Sequence, residues 1–205
     1  MALILPKSVF FHLPKTGGNW VVEAIIRSGI PCHRDEPELK HPLNFQRAHI
    51  SPDYIDTGDK FTFSFVRNPL GWYQSFWAYR MIDGWNSRFI LDRVYRSEDF
   101  NEMVSVYLEK FPQGFVSWLY RDFLGENLEK VDFVGKQENL VDDLISALNQ
   151  ASEDFNEEAI RNTNKVNIAA QHTAWKAKCV YDPKVEERVK EVEKWTFEKF
   201  GYNKL

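Results

Sequence analysis

Two short segments of this chain bring together residue types suited to holding an anion. Pro14, Lys15, Thr16, Gly17, Gly18, Asn19 and Trp20 stand between an apolar run and a helical pattern. Two glycines let the backbone approach an anion closely, and a helix start offers unbonded N–H groups at the positive end of its dipole. Lys15 adds a full positive charge. The order differs from GxxxxGK[ST], because the lysine precedes the glycines. On its own, the segment also fits an ordinary glycine turn with a surface lysine. The second segment is Arg67–Asn68–Pro69, with Ser75 eight residues after the arginine. A guanidinium and a hydroxyl suit a phosphate, and a structural ion pair is the plainer role for Arg67. Proton transfer near neutral pH calls for histidine. The chain has five, His12, His33, His41, His49 and His172. Glu23 and Glu138 are weaker bases.

These residues need elements to position them. The run SVFFHL at residues 8–13 and FTFSFV at 61–66 read as buried strands. A third strand is expected at 131–134, closed by Gly135. Helices are expected at 19–28, from Pro69 through Tyr79, from an N-cap at Ser97 to about Lys110, after Gly114, and at 140–148. A last helix opens at Asp182–Pro183 and carries the stripe Val185, Val189, Val192, Thr196 and Phe200, ending at Gly201. Residues 31–58, rich in proline and polar side chains, read as a long irregular connection. Strand–helix alternation of this kind predicts an α/β domain with a mainly parallel sheet. Ligands then bind at the carboxyl ends of the strands, so the segments after 13, 66 and 134 should meet.

The chain has 205 residues, 43% hydrophobic and 27% charged, which fits one globular domain spanning 1–205. A net charge of −4 provides no general basic field for nucleic acid. Cys32 and Cys179 lack metal-ligand spacing, so neither a zinc site nor a disulfide framework is expected. No apolar stretch reaches the ~18 residues of a membrane span. The expectation is a soluble, cytoplasmic, reduced protein without a membrane anchor. The 16 Phe, 8 Tyr and 7 Trp are mostly core, and Trp85, Phe89 and Tyr95 either line an acceptor cleft or simply pack.

PKTGGNW resembles the 5′-phosphosulfate loop of sulfotransferases that use 3′-phosphoadenosine-5′-phosphosulfate (PAPS). FSFVRNPLGWYQSFWAY is similar to their 3′-phosphate motif, and FVGKQENLVDDL to their Gly-x-x-Glu-(Asn/Arg)-Leu segment. The closing helix resembles theirs as well. Three motifs in the family's order carry more weight than any one of them.

The resemblance implies a P-loop-like, three-layer α/β domain that transfers a sulfuryl group from PAPS to a hydroxyl, without a metal. The acceptor would be a carbohydrate or a small alcohol or phenol. Thr16 and the amides of Gly17, Gly18 and Asn19 would hold the 5′-phosphate, and Trp20 would stack on adenine. Arg67 and Ser75 would read the 3′-phosphate, and Lys136 would join the donor site. Lys15 would neutralise the leaving oxygen, with His49 as base and His12 and His172 as alternatives. The family's Arg-Lys-Gly loop is missing here, with Asn164, Lys165, Lys176 or Lys178 as substitutes. Gly71 stands where relatives often have an acidic residue. The rival readings are an ATP-dependent small-molecule kinase and a nucleotide-binding module without catalysis.

Overall fold

A computed structural model describes residues 2–35, 49–86, 90–164 and 170–202. His41, Phe89, Lys165 and the side chain of His172 lie outside the described residues. The chain divides into two compact units, one of Met1–Arg67 with Arg121–Val166, the other of Asn68–Tyr120 with Asn167–Leu205.

The first unit is built on a sheet. Its strands are β1 (Ala2–Ile4), β2 (Ser8–Phe11), β3 (His33–Asp35), β4 (Phe61–Val66) and β5 (Phe133–Lys136), in the order β3-β1-β2-β4-β5. The expected parallel part is present. β2 pairs with β4, aligning Phe11 with Ser64, and β4 pairs with β5, aligning Val66 with Lys136. The carboxyl ends of these three strands therefore lie along one edge. β1 and β3 were not expected from the sequence, and β1 runs antiparallel to both β2 and β3. Three-residue strands are too short to show the alternation that marks a strand. The sheet is thus mixed.

β5 lies two residues later than expected. Asp132 occupies the start of the ladder with its side chain, accepting from the Thr62 amide and hydroxyl at 2.8 Å each. Gly135 lies inside the strand and does not end it. A Cβ there would lie 2.5 Å from the Phe65 ring, so the glycine allows close packing. Helices α1 (Gly18–Arg27), α6 (Leu140–Gln150) and α7 (Glu157–Arg161) complete the unit. Val21, Ala24 and Ile25 of α1 and Leu144, Ala147 and Leu148 of α6 pack with Phe10, Phe63 and Phe65 in its main core.

The second unit is helical: α2 (Pro69–Asp83), α3 (Ile90–Tyr95), α4 (Phe100–Lys110), the first part of α5 (Phe115–Leu124), α8 (Ala170–Ala177), α9 (Pro183–Val192) and α10 (Lys194–Lys199). Asp99, rather than Ser97, caps α4 by accepting from the Glu102 amide. Ser97 instead accepts from the Asp99 amide, so it orders the cap without being it. The single closing helix is two helices, broken at Glu193. The expected stripe survives the break, with Val189, Thr196 and Phe200 buried. Trp85 packs edge-on against Phe76, and Tyr95 against Tyr107 and Phe111. These rings pack within the unit. No helix among the described residues is long and apolar enough to cross a membrane.

Candidate functional site

The segment after β2 turns sharply before α1. Lys15 (φ 66°) and Gly17 (φ 89°) both adopt left-handed backbone. Glycine takes that conformation freely, whereas an L side chain does so at about 1–2 kcal/mol. Gly17 is also the N-cap of α1, and no side chain caps the helix there. The amides of Trp20 and Val21 donate to the Gly17 carbonyl. Those of Gly17, Gly18 and Asn19 have no partner among the described residues. Unbonded amides at a helix start form an anion cradle.

Packing fixes the cradle from several sides. A Cβ on Gly17 would lie 2.8 Å from Leu140 Cδ2, so the segment after β5 closes against the turn. A Cβ on Gly18 would fall 1.9 Å from His12 Cδ2 and 2.2 Å from His12 Nε2. Only glycine leaves room for that imidazole. The Thr16 hydroxyl is buried and donates to the Leu13 carbonyl at 2.9 Å, so in this conformation it closes the turn. The Arg67 guanidinium donates to the Lys15 carbonyl at 3.2 Å, tying the end of β4 to the same turn.

His49 comes to this place from the far side of the long connection. Its Nδ1 lies 2.9 Å from the His12 carbonyl, and the two rings meet edge to face at 4.8 Å. A carbonyl only accepts, so Nδ1 carries the hydrogen and Nε2 of the neutral ring keeps its lone pair. His12 is 7% exposed. Burial holds its pKa well below the usual range, and the charges of His49, Lys15 and Arg34 add to the effect.

The structure thus brings together Lys15, Thr16, Gly17, Gly18, Asn19, Arg67, His49 and His12. Lys136 stands at the end of β5, its amide donating to Asp143 Oδ2 at 2.6 Å. Trp20 is 7% exposed in the main core, with its indole N–H directed to the Thr163 carbonyl at 3.3 Å. Ser75 belongs to the second unit, buried on α2. His33 and Asn164 are exposed, and so are Lys176 and Lys178 in the second unit. Cys32 and Cys179 are both free thiols.

No local pattern around residue 12 marks the seating of the His12 ring on Gly18. The available signal was alternation: Phe10 and His12 are two apart in an extended run, which puts both on one face. They do stack, at 6.0 Å. Glu193 was missed entirely. Its buried carboxylate accepts from Tyr73 Oη (2.7 Å), Val116 N (3.0 Å), Ser117 N (2.8 Å) and Ser117 Oγ (2.7 Å). Burial pushes its pKa up, against the hydrogen bonds from Tyr73, Ser117 and Val116.

No family model, curated protein or solved structure matches the chain.

Proposed function

We propose that this protein is a sulfotransferase that moves a sulfuryl group from PAPS to a hydroxyl of a carbohydrate or of a small alcohol or phenol. The observation that carries the reading is the uncapped start of α1. Three amides without a partner among the described residues, together with Lys15, stand there beside a histidine whose tautomer leaves the Nε2 lone pair exposed to an incoming proton. The motif resemblance selects the donor, and the cradle is chemically suited to its 5′-phosphosulfate. Arg67 and Ser75 would read the 3′-phosphate and Lys136 would contribute to the donor site. A P-loop-like three-layer arrangement and a cytoplasmic location belong to the same proposal.

In the proposed reaction the acceptor oxygen attacks sulfur in line. His49 Nε2 takes the hydroxyl proton as the new S–O bond forms. The bond from sulfur to the bridging oxygen breaks, and its electron pair stays on the departing 5′-phosphate. Lys15 offsets the charge that collects there, and the cradle amides hold the phosphate without needing to reorganise. No divalent metal is required in this scheme.

The test separates the two roles. Lys15→Ala should slow transfer by roughly 10²–10³ with any acceptor. His49→Ala should slow transfer to an alkyl alcohol by roughly 10²–10⁴. A nitrophenol, which reaches the site nearly deprotonated, should rescue the His49 variant but not the Lys15 variant. Normal rates for His49→Ala with an alkyl alcohol would remove His49 as the base. Activity lost in EDTA and restored by Mg²⁺ would contradict the whole scheme.

A further inference from the structure

We infer that His12 supplies an Nε2–H hydrogen bond to the anionic group bound at the start of α1. This rests on the proposed reading of that turn as the site of the donor's phosphosulfate. It adds a binding residue that the motifs do not include.

The geometry leads to this role in three steps. The Cδ2–Nε2 edge of the ring lies directly against Gly18, the first residue of α1, closer than any side chain there would permit. His12 is also buried, and its Nδ1 is sealed away with no partner among the described residues. A buried N–H without an acceptor is rarer than an under-satisfied acceptor. The hydrogen of a neutral ring therefore belongs on Nε2, at the helix start, and the bare lone pair on Nδ1.

Burial, His49, Lys15 and Arg34 all oppose protonation of this ring. A helix N-terminus acts in the same direction. A neutral imidazole can stand beside Lys15 without repelling it, and it extends the row of free amides by one more donor. The arrangement also divides labour between the two histidines. His49 presents a lone pair, and the His12 backbone carbonyl holds it in that tautomer. The His12 side chain presents a hydrogen. His12 thus assists the anion and does not act as the base.

The experiment uses the full chain labelled with ¹⁵N-histidine, and the probes are 3′,5′-adenosine bisphosphate (PAP) and inorganic pyrophosphate. Long-range ¹H–¹⁵N spectra should show His12 as the Nε2–H tautomer across pH 6–8. Its Nε2–H resonance should move downfield when either probe is added. His12→Phe should weaken PAP binding by about tenfold to a hundredfold, the size expected for a hydrogen bond to a charged group. His12→Gln, which can place an N–H close to the same point, should recover most of the loss, whereas a purely structural role would not distinguish the two.

An Nδ1–H tautomer would overturn the inference while leaving the functional reading intact. So would a resonance unmoved by bound PAP, or a Phe variant that binds as the native protein does. The spectra decide the matter even if His12→Phe fails to fold. Failure of the native protein to bind either probe would overturn both proposals.

Discussion

Two helices in this molecule begin in opposite ways. α5 starts after Gly114 (φ 82°) with its first amides closed by the Glu193 carboxylate, and a Cβ on Gly114 would strike that carboxylate at 2.3 Å. α1 starts after Gly17 with three amides that have no partner, and no capping anion, among the described residues. Both starts have the same dipole and the same need for acceptors. Among the described residues the chain answers that need in the helical unit and not at α1 in the sheet unit. The capped start fixes a fold. The start of α1, with Lys15 in left-handed backbone beside it, is where the proposed donor would bind.

Removing the built-in anion should have the largest effect on stability. Glu193→Ala would leave the Tyr73 hydroxyl and two helix amides buried without their acceptor, while Ser117 Oγ keeps Thr196 Oγ1 at 2.8 Å. At ~1–3 kcal/mol for each stranded group, a loss of at least ~3 kcal/mol is expected in urea unfolding. A loss below ~1 kcal/mol would mean that the α5 cap is not what holds the helical unit.

At α1 the same kind of substitution should act on function. Lys15→Gly relieves left-handed strain, so stability should hold or rise by up to ~1 kcal/mol. Transfer should still fall by roughly 10²–10³. A variant that loses stability and activity in parallel would make Lys15 a structural residue, and the contrast between the two helix starts would disappear.

Acid should separate the two regions by sign. His12 has a lowered folded pKa, so below the ordinary histidine value of about 6.5 the unfolded chain binds more protons. Its contribution is constant above that pH and falls as the pH drops toward its folded value. Glu193 has a raised folded pKa, so its contribution is fullest below the ordinary carboxylate value and declines as pH rises through its folded value. His12→Gln should therefore flatten the acid-side loss below about pH 6.5, and Glu193→Gln should leave that loss in place. Unfolding curves collected from pH 4 to 8 would show which variant changes which limb.

What the sequence revealed follows the same division. The parallel strands and α1 were legible because aromatic and β-branched runs end at glycine and proline, and the cradle because two glycines follow a lysine at that boundary. Arg67 was legible as a strand-end cation, and its bond to the Lys15 carbonyl adds a brace. His49 was legible only through the family resemblance, since a bond spanning 37 residues leaves no local pattern. The break at Glu193 was hidden for a related reason. Its four hydrogen-bond partners come from α2 and α5, so a periodic helical stripe gave no cause to stop there. Trp20 lies in the core with apolar neighbours at helical spacing, which the pattern from Asn19 to Ser28 made legible.

In the proposed function the start of α1 holds a nucleotide carrying a 3′-phosphate. The direct measurement is calorimetric titration of the native protein with PAP and with AMP, which differ in that group. PAP should bind at least tenfold more tightly than AMP and, at ~100 times its Kd, add about 2.7 kcal/mol to folding stability. Equal affinities for the two, or binding of neither, would contradict that function.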